Sequence, residues 1–393
     1  MTLRFLTAGE SHGPALTAIL EGLPAGLPLS AELIDGELKR RQQGYGSGAR
    51  MKIEQDRAQI LSGVMAGLTT GAPLAILIEN RDHPRWKSRR IPPFSVPRPG
   101  HADLTGAVKY GYSDLRPALE RASARETTAR TAVGAVCKHF LAQFDVFIGG
   151  YVVSLGDVQA EIEGQSPRDL FLQAEASDVR CPDPAAAEKM RLAIRKVMED
   201  RDTLGGVIEI AAVGLPVGLG SHVHWDRKLE ARLAAAVMGV QAIKGVEIGP
   251  AFENTRLRGT QVQDAIRLDG DRLMRAGNRA GGLEGGITNG QPLILRAAMK
   301  PIATTLKPQQ SVDLAAGQEV DTRYERSDFC PVPRATPILE AVVAYVLADA
   351  LIEKLGGDSL QEMKGRFDKL RQPSLGDLKD EFGAQSDGQV FWP

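Results

Sequence analysis

Short apolar runs recur along the whole chain, and segments rich in glycine or proline separate them. Several runs alternate between apolar and polar residues, which is the pattern of a strand with one buried face. The 42 glycines and 23 prolines predict many loops between these strands. No sustained alternation of strands and helices indicates a parallel Rossmann sheet. We therefore expect antiparallel sheets with helices on one face, and the predicted strands span residues 3–7, 16–20, 59–64, 74–78, 146–154, 207–213 and 293–298.

The strongest predicted helix spans residues 119–144, because its apolar residues fall on one stripe of period 3.6. A further helix begins after Ser30, carries acids early and bases late, and stops before Gly44. The other predicted helices span residues 185–200, 228–244 and 336–355. Pro337 is expected at the first helical position of the last one.

The formal net charge of -1 argues against a general nucleic-acid binder. Three scattered cysteines predict a reducing compartment and no metal site. The N-terminal apolar run is too short for a signal peptide. The most apolar stretch, 338–352, contains Glu340 and Asp349, which argues against a membrane span. We expect a cytoplasmic protein.

A faint repeat divides the chain. Gly-Leu-Pro-Ala-Gly at 22–26 and Gly-Leu-Pro-Val-Gly at 214–218 each end an apolar strand and precede a helix. The chain is either one domain of two related modules, about 1–150 and 200–355 with a tail at 372–393, or it contains a common turn twice by coincidence.

Residues 80–101 cannot form a regular element, because they contain five prolines. They also carry six positive charges against one negative charge. We predict a long functional surface loop.

Two histidines lie in segments that suit proton transfer. His12 stands in Gly-Glu-Ser-His-Gly, where flanking glycines permit a tight turn, and it is a candidate general acid. A turn that merely hydrogen-bonds the histidine fits the same residues. His101 precedes Asp103 by two residues, so it is either an oriented base or a bystander to a helix N-cap formed by Asp103.

Arginines concentrate in two segments, 39–52 and 120–127. Arg41 and Arg50 flank a glycine-rich loop, and guanidinium groups suit carboxylates and phosphates. Arg125 is predicted at the edge of a buried helix face, where it needs an anionic partner. The alternative for segment 39–52 is a basic face exposed to solvent. The alternative for segment 120–127 is a helix face of intrahelical ion pairs.

The segment 278–290 has five glycines in 13 positions, which frees backbone amides to approach a flat or phosphorylated ligand. The segments 300–304 and 326–330 follow in the chain. Neither a P-loop nor a dinucleotide-binding fingerprint is present.

Taken together, these segments resemble the chorismate synthase family, in order and over nearly the whole chain. Only residues 155–185 and those after about 372 carry no family motif. The resemblance implies an α+β fold with helices sandwiched between two antiparallel β-sheets, assembled as a homotetramer. It also implies a lyase that eliminates phosphate from 5-enolpyruvylshikimate 3-phosphate, giving chorismate, with reduced FMN as cofactor.

The resemblance implies roles for particular residues. His12 matches the acid for the leaving phosphate, and His101 matches the residue beside flavin nitrogen 1. Ser11 and Asp328 match a proton relay to flavin nitrogen 5. The substrate clamp comprises Arg41, Ser47, Arg50, Arg125 and Arg326. The FMN contacts comprise Arg121, Ala122, Ser123, Gln241, Ala242, Gly285, Lys300, Pro301, Ile302, Ala303, Thr304 and Arg326.

Ser47 departs from the family, in which many bacterial members have arginine there. One arm of the clamp is then missing, or a base from residues 81–90 replaces it. Some members reduce their own flavin with NADPH, and others depend on an external flavin reductase. Two competing hypotheses are an RNA- or polyanion-binding protein that stacks bases on Tyr45, Trp86 and Phe94, and a nicotinamide-dependent flavin reductase.

Overall fold

The computed structural model describes residues 2–46, 55–322 and 328–378. The strands are β1 (Arg4–Ala8), β2 (Ala15–Glu21), β3 (Ala58–Ser62), β4 (Val64–Met65), β5 (Leu68–Thr69), β6 (Leu74–Glu79), β7 (Phe147–Leu155), β8 (Val158–Gln159), β9 (Gly206–Val213), β10 (Ile243–Ile248), β11 (Ile266–Asp269), β12 (Arg272–Arg275), β13 (Leu283–Glu284), β14 (Ile287–Thr288), β15 (Leu293–Met299), β16 (Gln310–Asp313) and β17 (Gln318–Asp321). The α-helices are α1 (Ala31–Gln42), α2 (Asp103–Tyr110), α3 (Arg116–Ala122), α4 (Thr127–Ala142), α5 (Pro167–Glu175), α6 (Pro184–Glu199), α7 (Leu229–Met238), α8 (Ala251–Asn254), α9 (Gly259–Val262), α10 (Val332–Leu355) and α11 (Leu360–Phe367).

Two antiparallel sheets form the framework. The first sheet has the strand order β1-β2-β6-β3, and the second has the order β10-β15-β9-β7-β8. In β2 the alternation predicted from the sequence is present: Leu16, Ala18 and Leu20 are buried, whereas Ile19 is exposed. The protein therefore has the expected α+β class with antiparallel sheets.

The long helices cover the buried faces of these sheets. Helix α4 contacts β1, β2 and β6 of the first sheet, and α10 contacts β7 and β9 of the second. The two helices also contact each other, and a Cβ atom built at Gly134 of α4 would lie 2.1 Å from the Cβ of Ala341 of α10. Only a glycine permits this close approach, which brings two apolar helices into one core.

The two sheets share a connectivity. The order β1-β2-β6-β3 corresponds position by position to β7-β9-β15-β10, since α1 and α7 follow the second strand of each set and α4 and α10 follow the third. Thr69 Oγ1 donates to Pro24 O at 2.6 Å and accepts from Leu27 N at 2.9 Å. Thr288 Oγ1 makes the same two bonds, to Pro216 O at 2.6 Å and from Leu219 N at 2.9 Å.

Three predicted helices have different limits in the structure. The helix predicted over 119–144 is broken, because Ser123 is extended (φ -60°, ψ 140°) between α3 and a 3-10 turn at Ala124–Glu126. Helix α7 stops at Met238, before Gly239. Helix α10 begins at Val332, so Pro337 lies inside it rather than at its first position.

Of the described helices, α10 has the length and apolar composition that crossing a membrane requires, but nearly all of it is buried inside the protein. Its apolar character is accounted for by its central place in the core, where it contacts α4, α1 and α7.

Candidate active site

His12 lies in the tight turn between β1 and β2. Gly9 in this turn has φ +110°, and a Cβ atom there would lie 2.4 Å from Ala15 O, so the turn requires glycine. His12 Nδ1 donates to Glu120 Oε1 at 2.8 Å, and His12 N donates to Glu120 Oε2 at 2.7 Å. The turn therefore presents a histidine whose main chain and ring are both bound by one carboxylate of α3.

Two residues of the basic loop 80–101 also contact His12. His83 Nδ1 donates to His12 O at 3.0 Å, and the Trp86 ring lies over the imidazole with 4.3 Å between centroids. Burial opposes ionisation of Glu120, but the hydrogen bonds and charge of His12 outweigh it and hold the pKa of Glu120 below its usual value. The start of the loop thus covers the histidine.

Ser11 is buried beside the break between α3 and α4. Ser123 Oγ donates to Ser11 Oγ at 3.2 Å, and Ser11 N donates to Glu120 O at 3.3 Å. Arg121 donates to Thr7 O at 2.9 Å. The structure therefore brings together Ser11, His12 and the segment Arg121–Ser123.

Buried arginines surround Asp56. Arg125 Nη1 lies 2.6 Å from Asp56 Oδ1, and Arg41 Nη1 lies 3.8 Å from Asp56 Oδ2. Arg125 Nε also donates to Asn80 Oδ1 at 2.8 Å, while Asn80 Nδ2 donates to Glu10 O at 3.1 Å. Asn80 thereby joins the arginine cluster, defined as Arg41 and Arg125 around Asp56 together with Arg334 beside Arg41, to the turn that holds His12.

Burial lowers the pKa of Arg41 to about 9, and the neighbouring Arg334 and Arg125 guanidinium groups add to this. Arg41 Nη2 donates to Ala124 O and Thr127 Oγ1, both at 2.9 Å. Arg334 Nε in turn donates to Arg41 O at 3.3 Å. An anion that enters this crowded cationic cluster would relieve the mutual repulsion of its members.

The anionic partner that the sequence required for Arg125 is Asp56, not a glutamate of its own helix. The sequence did not predict four residues that the structure places in the site: Asp56, Asn80, Glu120 and Arg334. For Arg334 a signal existed, since it follows closely on the Arg-Ser-Asp-Phe-Cys segment. The others are brought in only by tertiary contacts. Asp328 pairs with Arg334 Nη1.

His101 is held by a second carboxylate. Its Nδ1 donates to Asp103 Oδ1 at 2.6 Å, and Arg98 Nε donates to Asp103 Oδ2 at 2.8 Å. Burial opposes ionisation of Asp103, yet these hydrogen bonds prevail and hold its pKa well below the usual range. Asp103 is the first residue of α2 and does not cap it, since the N-cap is Ala102.

The His101 loop borders a polar cavity of about 460 Å³. Arg98 Nη1 donates to Thr304 Oγ1 and Lys300 Nζ donates to Gly100 O, both at 3.0 Å. The lining residues are Pro99, Asp202, Thr203, Lys300, Pro301, Ile302, Ala303, Thr305, Lys307, Pro308 and Gln309. The cavity thus collects most of the segment 300–304 that the resemblance assigned to FMN.

Main-chain hydrogen bonds connect the cavity wall and its neighbour Leu204 to the segments that contain Gln241 and Asp328. Lys300 N donates to Ala242 O at 3.0 Å, and Gln241 Oε1 is buried without a hydrogen-bond partner among the described residues. Next to the cavity wall, Leu204 N donates to Phe329 O at 2.9 Å, one residue from Asp328. The orphaned Gln241 oxygen and the polar lining fit a polar cofactor.

One predicted site residue, Gly285, is not brought near the others, and three more lie outside the described residues. Gly285 is in the β13–β14 turn, and this hairpin abuts the Leu293 end of β15 because Ile294 N donates to Gly281 O. Lys300 follows the opposite end of β15, roughly 20 Å away at about 3.3 Å per residue. Ser47, Arg50 and Arg326 lie outside the described residues.

Comparison with known proteins gives one consistent family. The chain matches the family model described as chorismate synthase over residues 3–352. A chorismate synthase of Trichlorobacter lovleyi is 53% identical over 383 residues, covering 93% of this chain and 98% of that protein. One of Aquifex aeolicus is 52% identical over 386 residues, covering 93% and 96%. A solved "Crystal Structure of Chorismate Synthase" has 46% sequence identity and a TM-score of 0.77, covering 94% of this chain and 97% of that one.

Proposed function

The chain belongs to the chorismate synthase family, and from this premise we propose that it converts 5-enolpyruvylshikimate 3-phosphate to chorismate and phosphate. The reaction would be an anti-1,4-elimination with reduced FMN, the last step of the shikimate pathway to aromatic amino acids. The observation that supports this most is the joining of carboxylate-bound His12 to a buried arginine cluster through Asn80.

The arginine cluster would bind the anionic groups of the substrate. Arg41 and Arg125 share a single carboxylate, Asp56, and Arg334 lies beside them. The proposed clamp is completed by Arg50 and Arg326. Phosphate leaves poorly unless its developing charge is neutralised, and fixed guanidinium groups in a buried site provide that neutralisation.

His12 would deliver a proton to the departing phosphate. Its Nδ1 already donates to Glu120, so the proton transferred would be that on Nε2. A positioned histidine at neutral pH suits this task. Ser11, beside Ser123, and Asp328, beside Arg334, would relay the proton that leaves the substrate ring.

The polar cavity beside His101 would hold FMN. Reduced FMN, when bound, supplies electron density that weakens the carbon–oxygen bond. His101 would hold a proton beside flavin nitrogen 1, fixed there by Asp103. Lys300–Thr304 and Gln241–Ala242 would contact the cofactor from the cavity, with Arg121–Ser123 and Arg326. Gly285 would reach FMN only from another copy of the chain.

An anaerobic assay tests the function. Purified protein with chemically reduced FMN should form chorismate and release equimolar phosphate. Repeating the assay with NADPH and oxidised FMN decides whether the chain reduces its own flavin or needs an external reductase. A protein that releases no phosphate with reduced FMN, although correctly folded, would contradict the proposal.

We further propose a cytoplasmic homotetramer in which helices lie sandwiched between the two sheets of each subunit. The contacts of α4 with the first sheet and of α10 with the second support the layered arrangement. Leu6 and Ile19, opposite each other on β1 and β2, are 60% and 44% exposed, which supports burial of this face by another copy.

A further inference from the structure

Glu120 binds His12 in a way that dictates the state of the imidazole ring. Both carboxylate oxygens are used by the same residue: Oε2 accepts from His12 N at 2.7 Å and Oε1 accepts from Nδ1 at 2.8 Å. A carboxylate has no proton to donate, so Nδ1 must carry one. The contact becomes an ion pair when the ring carries both protons.

Trp86 contacts the face of the His12 imidazole ring and limits its movement. Trp86 lies 4.3 Å from the imidazole between centroids, with 49° between the ring planes. Trp86 is itself held, because Nε1 donates to Asp82 Oδ2 at 3.1 Å and its main-chain N donates to His83 O at 2.8 Å. Asp82 is fully buried, so this support is part of the folded core and not a chance surface contact.

We propose that Glu120 is a positioning residue for the proposed acid. It fixes a proton on Nδ1, so that the doubly protonated ring carries its transferable proton on Nε2, and Trp86 restricts rotation of the ring. Glu120 does not touch the substrate in this proposal. The catalytic consequence rests on the proposed function of His12, whereas the state of the ring does not.

Substitution Glu120→Gln tests whether Glu120 sets the ring state of His12, because it keeps the shape of the side chain but changes its hydrogen bonding. His12 presents two donors to residue 120, whereas glutamine offers one acceptor and one donor. If the amide oxygen keeps the main-chain N–H, the amide nitrogen faces Nδ1 and can be satisfied only if Nδ1 gives up its proton. The ring proton then moves to Nε2.

The first measurement is the ¹⁵N spectrum of the histidine ring nitrogens in the substrate-free protein at neutral pH, with His12→Asn to assign the signals. We expect a protonated Nδ1 in the wild type and a loss of that signal in Glu120→Gln. Glu120→Asp keeps two acceptors and should retain the protonated Nδ1. The same ring state in Glu120→Gln as in the wild type would overturn the proposal, even if turnover fell.

The second measurement is anaerobic turnover. Glu120→Gln should lower kcat by at least about tenfold, because the amide nitrogen would face the Nδ1 proton of the doubly protonated ring that donates from Nε2. Replacing the carboxylate that orients a catalytic histidine costs up to roughly 10⁴-fold in serine proteases. KM should stay within about twofold, because the arginine cluster is untouched. Glu120→Asp should recover part of kcat. Glu21→Gln, an exposed glutamate paired loosely with Arg4, is the matched control and should behave as the wild type.

A rise in KM with unchanged kcat, or losses that track the melting temperature in both Glu120 variants, would overturn the positioning role. If the wild type formed no chorismate, the proposed function would fail. The ¹⁵N spectra would then still decide whether Glu120 sets the ring state of His12.

Discussion

His12 and His101 each donate through Nδ1 to a carboxylate, but their surroundings differ. Glu120 binds His12 twice and Trp86 covers it, next to the arginine cluster. Asp103 is shared between His101 and Arg98, next to the polar cavity. The same arrangement of a histidine on a carboxylate therefore occurs at two positions, one proposed for the anionic substrate and the other for the cofactor.

His12→Ala and His101→Ala should have different effects. His12→Ala should lower anaerobic turnover about 10²–10⁴-fold, the usual contribution of general acid catalysis, and leave FMN binding intact. His101→Ala should also change the affinity or the spectrum of bound reduced flavin. Turnover, flavin spectra and melting temperatures of the folded variants test this. Turnover close to that of the wild type in His12→Ala would refute its role as the acid.

The partner of His101 could be predicted from the sequence, but the partner of His12 could not. The tight turn at His12 follows from Gly9, and the proximity of Asp103 to His101 follows from their spacing. Glu120 lies 108 residues from His12, so only the packing of α3 on the turn makes them neighbours. Asp56 meets Arg125 in the same way, across 69 residues.

At the level of secondary structure, the contact between α4 and α10 depends on Gly134. A Cβ atom there would lie 2.1 Å from Ala341 Cβ, so Gly134→Ala must push the helices apart. We expect it to lower the free energy of unfolding by about 1–3 kcal/mol, as overpacking of a core does. Gly36 of α1 is a matched control, since no atom of the described residues lies within 4 Å of its Cβ position.

Gly36→Ala should raise stability by roughly 0.5–1 kcal/mol, because alanine loses less backbone entropy in a helix. Urea unfolding of both variants measures the two changes. Equal effects of the two substitutions would show that helix propensity, not the contact between helices, decides the result at Gly134.

Glu340 joins three helices through buried charges. Arg40 Nη1 of α1 and Lys138 Nζ of α4 each lie 2.7 Å from its Oε2. Burial opposes ionisation, but these two cations outweigh it and hold the pKa of Glu340 well below its ordinary 4.5. The ion pairs therefore stabilise the fold above about pH 4.5, and this contribution is lost as the pH falls below that value.

Glu340→Gln should cost about 1–3 kcal/mol at pH 7, because it removes the buried carboxylate from a network in which Glu37 and Glu175 still pair with the two cations. The deficit relative to the wild type should shrink as the pH falls from 4.5 towards 3. Denaturant unfolding at several pH values checks this, with the exposed Glu188→Gln as control. A deficit that does not change with pH would show that shape, not charge, is what matters at this position.

Short local patterns predicted the elements better than their ends. Short apolar runs located the strands of the first sheet and β7, β9 and β15 of the second, whereas β8 and β10 were not predicted. Period-two alternation holds in β2, β6 and β15, but β7 and β9 are buried on both faces. The stripe of apolar residues continues across Ser123, so periodicity alone joined α3 to α4. The break arises because the Ser123 hydroxyl accepts from Arg125 N. Pro337 suggested a helix start, yet α10 begins at Val332, with Pro331 as its N-cap and Pro333 in its first turn, so Pro337 lies inside the helix.

At the scale of the whole molecule, the matching connectivity of the two sheets favours two related modules over a coincidental turn. Gly22 and Gly214 both have φ +88°, and a Cβ atom at either would collide with a main-chain oxygen. The two-module interpretation stays a prediction. The proposed site lies in neither module alone, since the arginine cluster takes Arg41 and Arg125 from the first and Arg334 from the second.

The outer face of the first sheet leads to the last prediction, on assembly. Leu6 pairs with Ile19 across β1 and β2, and Ile19 pairs with Ala75 of β6, so an apolar row crosses three strands. Leu6→Lys should place a charge in a buried contact if another copy covers this row. Sedimentation velocity should then show a smaller species than the wild-type assembly.

Leu192→Lys is the control, because Leu192 is similarly exposed, at 53%, but lies on helix α6 and not in the apolar row of the sheet. It should leave the sedimentation coefficient unchanged. The melting temperature of dissociated Leu6→Lys should fall, since the row would then face water. An unchanged assembly in Leu6→Lys would place the subunit contact on another face, and Gly285 in the β13–β14 turn would be the next position to substitute.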